Sequence, residues 1–262
     1  MRDIFLSVVI PAYNESRVIV NTLREISDYL NKQAYSYEII VIDDASTDDT
    51  KQKVLDFSRG NEKIKLLSNK HNEKKGASVK KGVLSAKGNY VTYLDADYAY
   101  PINQIDRFLN ILEDATDIVI GNRIHPDTTY IVKPSWFNYI YRRFLMSRIF
   151  NMGVRSILLK DISDSQCGIK CFQTETAKSI FKKVTVSNFA FDVEVLYIAQ
   201  KNGKKITQIP VIYNYIDEPS SVQLFKDTFR MLKSLIQIKL NGWRKKYTLD
   251  SVSPERTKSK KP

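Results

Sequence analysis

Short apolar segments, each followed by a helix-length amphipathic stretch, constrain this chain more than any other feature. SVVIPA, YEIIVID, KIKLLS, YVTYLDAD and DIVIGNR are mostly unbroken and rich in β-branched residues, so they read as strands covered on both faces. Between them lie residues 16–33, where Val18, Leu23, Ile26 and Leu30 fall near helical spacing, and then TDDTKQKVLDFS, GASVKKGVLSAKG and INQIDRFLNILED. Repeated β-α units predict an α/β chain built on a mostly parallel sheet flanked by helices. Such sheets bind ligands at the carboxyl ends of their strands.

Those ends are acidic. Pro11, Ala12, Tyr13, Asn14 and Glu15 follow the first strand; Asp43, Asp44, Ala45 and Ser46 follow the second; Asp95 and Asp97, in YLDADYAYP, follow the fourth. Neither a GxGxxG fingerprint nor a GxxxxGK[ST] loop occurs, so bound phosphates need another neutraliser. Paired carboxylates suggest a bridging divalent cation, Mg²⁺ or Mn²⁺, because hard oxygen ligands suit both. Taken alone, Asp95 and Asp97 read more readily as loop-capping acids; the whole acidic set favours the metal. In DDASTDDT, Ser46 or Thr47 is expected to cap the next helix with Asp48 and Asp49 facing its dipole, while Asp43 and Asp44 point to the ligand.

After residue 122 the character changes. PSWFNYIYRRFLMSRIFNMGVRSILL is aromatic, basic and expected to be helical. Helix-like stretches follow near 174–183 and 190–202, then the strand KITQIPVIYNY, an amphipathic helix over about 221–243, and a basic tail over 244–262 that is expected to be disordered. In the last helix Phe225, Phe229, Leu232, Ile236, Leu240 and Trp243 recur at helical spacing, with Lys226, Arg230, Lys233 and Arg244 one step round. Such a face suits either a bilayer interface, together with the 136–150 segment, or the protein's own core or a second subunit. The net charge of +12 over 262 residues borders this stripe, and no nucleic-acid-binding motif occurs, so a nucleic-acid partner is not expected. No apolar run approaches the roughly 20 residues that span a bilayer. IFLSVVIPAYNE opens the chain without a secretory leader, so a cytoplasmic, peripherally membrane-associated protein is expected. Cys167, Cys171 and two histidines are too few for a zinc site or a disulfide framework, and the cysteines are expected to be small buried residues. The oligomeric state is left open.

VVIPAYNE, IIVIDDASTDDT, NEKKGASVKKGV, YLDADYAYP and IGNR, in that order and spacing, resemble the GT-A nucleotide-diphospho-sugar transferase fold of the family 2 glycosyltransferases. DISDSQCGIKCF, FAFDVEVLYIAQKNGKKITQIPVIYNY and DTFRMLKSLIQIKL resemble the dolichyl-phosphate β-glucosyltransferase subgroup, a relative of dolichol-phosphate mannose synthase. The resemblance covers roughly residues 5–241. It implies a catalytic domain over 1–220, with a nucleotide-sugar half at 1–122 and an acceptor half at 123–220. Its reaction is inverting transfer of a hexose, glucose from UDP-glucose in the first place, to a polyprenyl phosphate. By that resemblance Pro11, Ala12, Tyr13, Glu15, Asp43 and Asp44 would cradle the nucleoside, with Lys75 and Gly76 alongside. Asp95, Ala96 and Asp97 would serve ribose, diphosphate and metal. Arg123, Arg143 and Ser147 match positions that grip the acceptor phosphate, and Arg123 and Arg143 join Asp95 and Asp97 as catalytic candidates. Ala99 stands where the mannose synthases carry Gln, as in the glucosyl subgroup, and the N-terminal anchor of the eukaryotic glucosyl enzymes is not seen.

The chemistry is consistent with these residues. A phosphate monoester, with a second pKa of about 6, is already largely a dianion at neutral pH and needs a cationic cradle more than a base. A saccharide or protein hydroxyl acceptor is the alternative; it would need a carboxylate base, with Asp164 the nearest candidate. Asp164 and Gln166 are turn residues or pocket residues, and the sequence leaves both open. Asp192 and Glu194 read as surface-helix residues ahead of catalytic ones. A nucleotide-sugar-binding scaffold without turnover is disfavoured by the intact acidic set.

Overall fold

The computed structural model describes residues 4–132, 152–214 and 224–249. Its centre is a seven-stranded sheet in the order β3-β2-β1-β4-β7-β5-β8. The strands are β1 Leu6–Ala12, β2 Tyr37–Asp43, β3 Ile64–Ser68, β4 Tyr90–Tyr93, β5 Ile118–Asn122, β7 Lys170–Gln173 and β8 Ile206–Pro210. All neighbours are parallel except β7, which runs antiparallel to both β4 and β5. Short strands β6 Thr129–Ile131 and β9 Ile212–Asn214 pair separately.

Burial explains the uninterrupted strands. Every residue of β2 is buried, because its two faces feed two cores. Val8, Ile10, Ile39 and Val41 pack with α1 (Ile19–Leu30) and α4 (Ile105–Ala115); Val9, Ile40 and Ile42 pack with α3 (Lys75–Ser85), α6 (Thr174–Lys183) and α7 (Phe191–Lys201). In α1 the buried apolar residues are Ile19, Leu23, Ile26 and Leu30, a stripe at helical spacing. Each such side chain contributes about 1.5–3 kcal/mol when fully buried. The helix α2 spans Thr50–Ser58 and a short helical stretch α5 covers residues 152–157.

Three local departures from the sequence expectations have simple causes. The run KITQIPVIYNY divides at Val211, with β8 in the main sheet and β9 in the small one. The strand expected through Asp97 ends at Tyr93, which leaves both aspartates in the following loop. Neither Ser46 nor Thr47 caps α2: Asp48 accepts from Thr50 N instead, and the other two bond the β1 loop.

The last helix, α8 (Leu224–Trp243), buries Leu235 and Ile238, whereas Ile236, Leu240 and Trp243 of the predicted stripe are exposed. The side chains of Phe225, Lys226, Phe229, Arg230 and Leu232 lie outside the described residues. Residues 244–249, expected to open a disordered tail, instead pack on α7. Tyr247 is 2% exposed, its hydroxyl donates to Glu194, and its carbonyl accepts from Asn202.

Candidate active site

In a parallel sheet the loops diverge where the strand order reverses, here between β1 and β4, and that crevice is the natural ligand site. The loops after β1 and β2 are stitched to one another. Asn14 N donates to Ser46 Oγ (3.0 Å), Thr47 N donates to Asn14 Oδ1 (2.8 Å), Ser16 N donates to Asp48 Oδ2 (3.1 Å) and Glu15 N donates to Thr50 Oγ1 (2.8 Å). Asn14 and Ala45 adopt positive φ of 58° and 59° at these bends. Burial opposes the Asp48 charge, but the Thr50 and Ser16 donors outweigh it and hold its carboxyl at about 2. Tyr13, 43% exposed, stands on the rim of this fixed frame.

Asp43 and Asp44 are both buried. Asp43 Oδ1 accepts from Ser46 N (3.2 Å). Asp44 accepts from Asn69 Nδ2 (2.7 Å), Glu73 N (2.9 Å) and Lys74 N (2.8 Å), and so shapes the loop entering α3. That loop delivers Lys75, whose Nζ lies 2.5 Å from Asp95 Oδ1. Burial disfavours the Lys75 ammonium, yet Asp95 first and Asp192 second hold its pKa above the ordinary lysine value. Gly76 N donates to Ser187 O (2.8 Å), and a Cβ there would sit 2.7 Å from Phe191 Cβ, so only glycine lets α3 meet the 186–191 turn.

The acidic loop is pinned along its length. Thr22 Oγ1 donates to Ala96 O (2.6 Å), Ala99 N to Asp97 Oδ1 (3.0 Å) and Asn214 N to Ala99 O (2.8 Å). Gly168 presses against it: a Cβ at this position would lie 2.4 Å from Asp95 Oδ2. Asp95 and Asp97 remain partly exposed, facing the crevice with Lys75 between the loop and the α3 terminus.

After β5, Arg123 Nε and Nη2 form a forked pair with Asp164 Oδ2 and Oδ1 at 2.7 and 2.8 Å, and Arg123 N donates to the same carboxylate (3.0 Å). Burial would raise the Asp164 carboxyl, but Arg123 outweighs it and the carboxyl lies below its ordinary value. Gln166 donates to Phe189 O (2.9 Å), joining this side to the turn before α7. Tyr100, Tyr213 and Tyr130 form a tilted row beside Arg123, with ring centroids 5.2 and 5.7 Å apart, and Tyr130 Oη donates to Arg123 O. Arg143 and Ser147 lie outside the described residues.

Asp192 and Glu194 are not on a surface. Asp192 is 5% and Glu194 0% exposed. Asp192 joins Lys170 and Tyr93 below the site, and Glu194 takes Thr185 N, Thr185 Oγ1, Val186 N and Tyr247 Oη. The reading of both as surface-helix residues is thereby corrected. The signal overlooked is that FAFDVEVLYIA is apolar all round, which marks a helix buried on every side. Cys167 and Cys171 are buried as expected, and burial pushes the Cys167 thiol up to about 11.

A crevice lined by carboxylates, a lysine and an anchored arginine can hold a polyanionic donor beside an anionic acceptor. The dolichyl-phosphate beta-glucosyltransferase of Dictyostelium discoideum is 35% identical over 249 residues, covering 90% of this chain and 74% of that protein. The Homo sapiens protein of the same name is 33% identical over 260 residues, covering 93% and 78%. Among solved structures, glucosyl-3-phosphoglycerate synthase from Mycobacterium tuberculosis in complex with uridine-diphosphate has a TM-score of 0.66 at 18% identity, covering 90% of this chain and 80% of that one; this is a likeness of fold. Residues 7–173, which include the three acidic strand ends, Arg123 and the strand carrying Lys170, match the family model for glycosyl transferase family 2. The chain therefore belongs to glycosyl transferase family 2 and is a glycosyltransferase of the GT-A fold.

Proposed function

We propose that this enzyme transfers glucose from UDP-glucose to a polyprenyl phosphate of the dolichyl type, with inversion, at a membrane surface. The relatives' names support the sugar and the lipid carrier. The observation that carries the acceptor assignment is the forked Arg123–Asp164 pair. A carboxylate held by three Arg123 donors, depressed in pKa and 0% exposed, is a poor base for a hydroxyl acceptor. It is instead a mount for a guanidinium, which suits an acceptor that arrives already ionised.

Asp97, with Asp95, suits a divalent ion, Mg²⁺ or Mn²⁺. No group of three or more His, Cys, Asp or Glu side chains that could hold a metal occurs among the described residues, so the donor's phosphates would complete the coordination, a common arrangement for Mg²⁺. Related-fold complexes contain Mn²⁺ or Mg²⁺ with uridine-diphosphate, which agrees. When bound, the ion neutralises charge growing on the leaving diphosphate. Lys75 adds a second positive charge at that place, the stitched loops around Asn14 and Asp48 fix the nucleoside frame, and Arg123, with Arg143 and Ser147, orients the acceptor phosphate toward the anomeric carbon.

The lipid acceptor accounts for the outer face of α8. Exposed Ile236, Leu240 and Trp243 stand among Lys233, Arg244, Lys245 and Lys246, a composition that favours an anionic bilayer interface. Among the described residues no helix is long and apolar enough to cross a membrane. The test is a donor screen with a polyprenyl phosphate, with and without EDTA. Solvent-extractable labelled lipid is expected from UDP-glucose, is lost in EDTA, and is nearly abolished by Asp97→Ala; full activity in EDTA would overturn the metal assignment.

A further inference from the structure

At the rim and beneath it, near the starts of α3 and α7, four charged side chains form two ion pairs. Lys170, on β7, is 0% exposed; its Nζ lies 2.5 Å from Asp192 Oδ1 and donates to Cys167 O at 2.7 Å. Tyr93, directly opposite Lys170 in the β4–β7 register, donates its hydroxyl to the same Oδ1 at 2.7 Å. The second pair is Lys75 with Asp95 at the rim. The two pairs are neighbours along the contact between α3 and α7: Gly76, next to Lys75, abuts Phe191, next to Asp192, and Gly76 N donates to Ser187 O.

Burying an ammonium with a carboxylate is seldom better for stability than filling the same volume with apolar side chains. Here the buried pair solves a problem of allocation. Asp192 stands at the first turn of α7, fixed by the apolar packing of that helix, and some cation must answer it. If none came from below, Lys75, at the start of α3 where that helix abuts the start of α7, would be drawn on.

We propose that Lys170 is a positioning residue for donor binding: by satisfying Asp192 it leaves Lys75 at the rim, paired with Asp95, where it can meet the donor's diphosphate. The proposal rests on the assignment of Lys75 to the donor made above. The geometry behind it is specific. Tyr93 and Lys170 saturate one oxygen of Asp192 from the sheet side, and the register that sets them opposite each other also places Asp95 two residues beyond Tyr93. Without Lys170, Asp192 draws Lys75 inward, and the site loses a positive charge although the lysine is still present in the sequence.

The experiment measures UDP affinity of the full chain by calorimetry with Mn²⁺, and steady-state kinetics with UDP-glucose and a polyprenyl phosphate. Lys170→Met should weaken UDP binding and raise the donor KM by about tenfold, leaving the acceptor KM near wild type. Lys170→Arg should keep most of the affinity. The double variant K170M/D192N should recover UDP binding to within about threefold of wild type, because the competing carboxylate has gone. A role in folding alone would lower the melting temperature without this split between donor and acceptor. Unchanged UDP affinity in Lys170→Met, or no recovery in the double variant, overturns the proposal. Should Lys170→Met fail to fold, K170M/D192N, which buries no unpaired charge, still decides: affinity about tenfold below wild type refutes it. Lys75→Met separates the two levels, since wild-type UDP affinity in that variant would remove the donor role of Lys75 itself.

Discussion

Arg123 is mounted on Asp164 by a two-pronged salt bridge, 2.7 and 2.8 Å long, in which the carboxylate is fully buried and the guanidinium 22% exposed. Asp164→Asn should therefore release Arg123 from its pose. The expected result is a fall of about a hundredfold in kcat/KM for the lipid phosphate, with donor affinity little changed, and about 3–5 kcal/mol lost in stability, the usual range for breaking a buried pair. The pH behaviour follows from the lowered Asp164 pKa. Its contribution to stability is complete above the unfolded value near 3.9 and is lost as pH falls through the lower folded value. Wild type should thus gain nothing from this group between about pH 6 and 8, and its stability advantage over Asp164→Asn should narrow only below about pH 4, as acid unfolding would measure.

Gly168→Ala should damage the donor site more than the fold. Its Cβ would lie 2.4 Å from Asp95 Oδ2 and 2.8 Å from Tyr100 Cε2, so Asp95 must move. Overpacking of this kind commonly destabilises by about 1–3 kcal/mol. UDP affinity should fall by about tenfold or more, well beyond what the melting temperature suggests. Wild-type UDP binding would show that Asp95 can shift harmlessly.

Tyr247→Phe should lower stability by about 1–3 kcal/mol, read from denaturant melts. The hydroxyl lies 2.5 Å from Glu194 and also accepts from Asn241 at 3.1 Å, in a buried network that fastens the chain after α8 to α7. Catalysis at saturating substrate should persist in the folded fraction. A loss of turnover without a loss of stability would contradict a purely fastening role.

Replacing Ile236 and Trp243 together by Glu should abolish flotation with acidic liposomes and leave the melting temperature near wild type, since both side chains are exposed, at 63% and 68%. Equal flotation of this variant and wild type would rule out the α8 face as the lipid contact. Each basic residue near an anionic surface adds only about 1 kcal/mol, so the apolar anchors should dominate the change.

The sequence revealed the layers, the mostly parallel sheet and the acidic strand ends, because local periodicity and β-branching report burial directly. It revealed less of the pairing. β7 was not recognisable as a strand: KCFQ is four residues long, begins with a lysine, and owes its place to neighbours 77 positions back at Tyr93 (170 − 93) and, on the other side, Ile120. For the same reason Lys170 looked like an ordinary charged residue, and Asp192 and Glu194 like solvated ones. Their partners come from β4, the 185–186 segment and Tyr247, contacts that no local spacing encodes. Asp44 likewise has partners that no local spacing encodes, the backbone N–H groups of Glu73 and Lys74 in the loop entering α3.

The antiparallel insertion of β7 also ties two needs of the sheet to one strand. β1 to β4 are neighbours or near-neighbours along the chain, but β5 has no partner in the sheet until β7 and β8 have been made. Until then β4 presents an open edge, the kind of edge that recruits other strands. The strand that closes this edge also carries Lys170, the cation beneath the proposed donor site. Closure of the β4 edge and the charge balance beneath the proposed site therefore depend on one short strand.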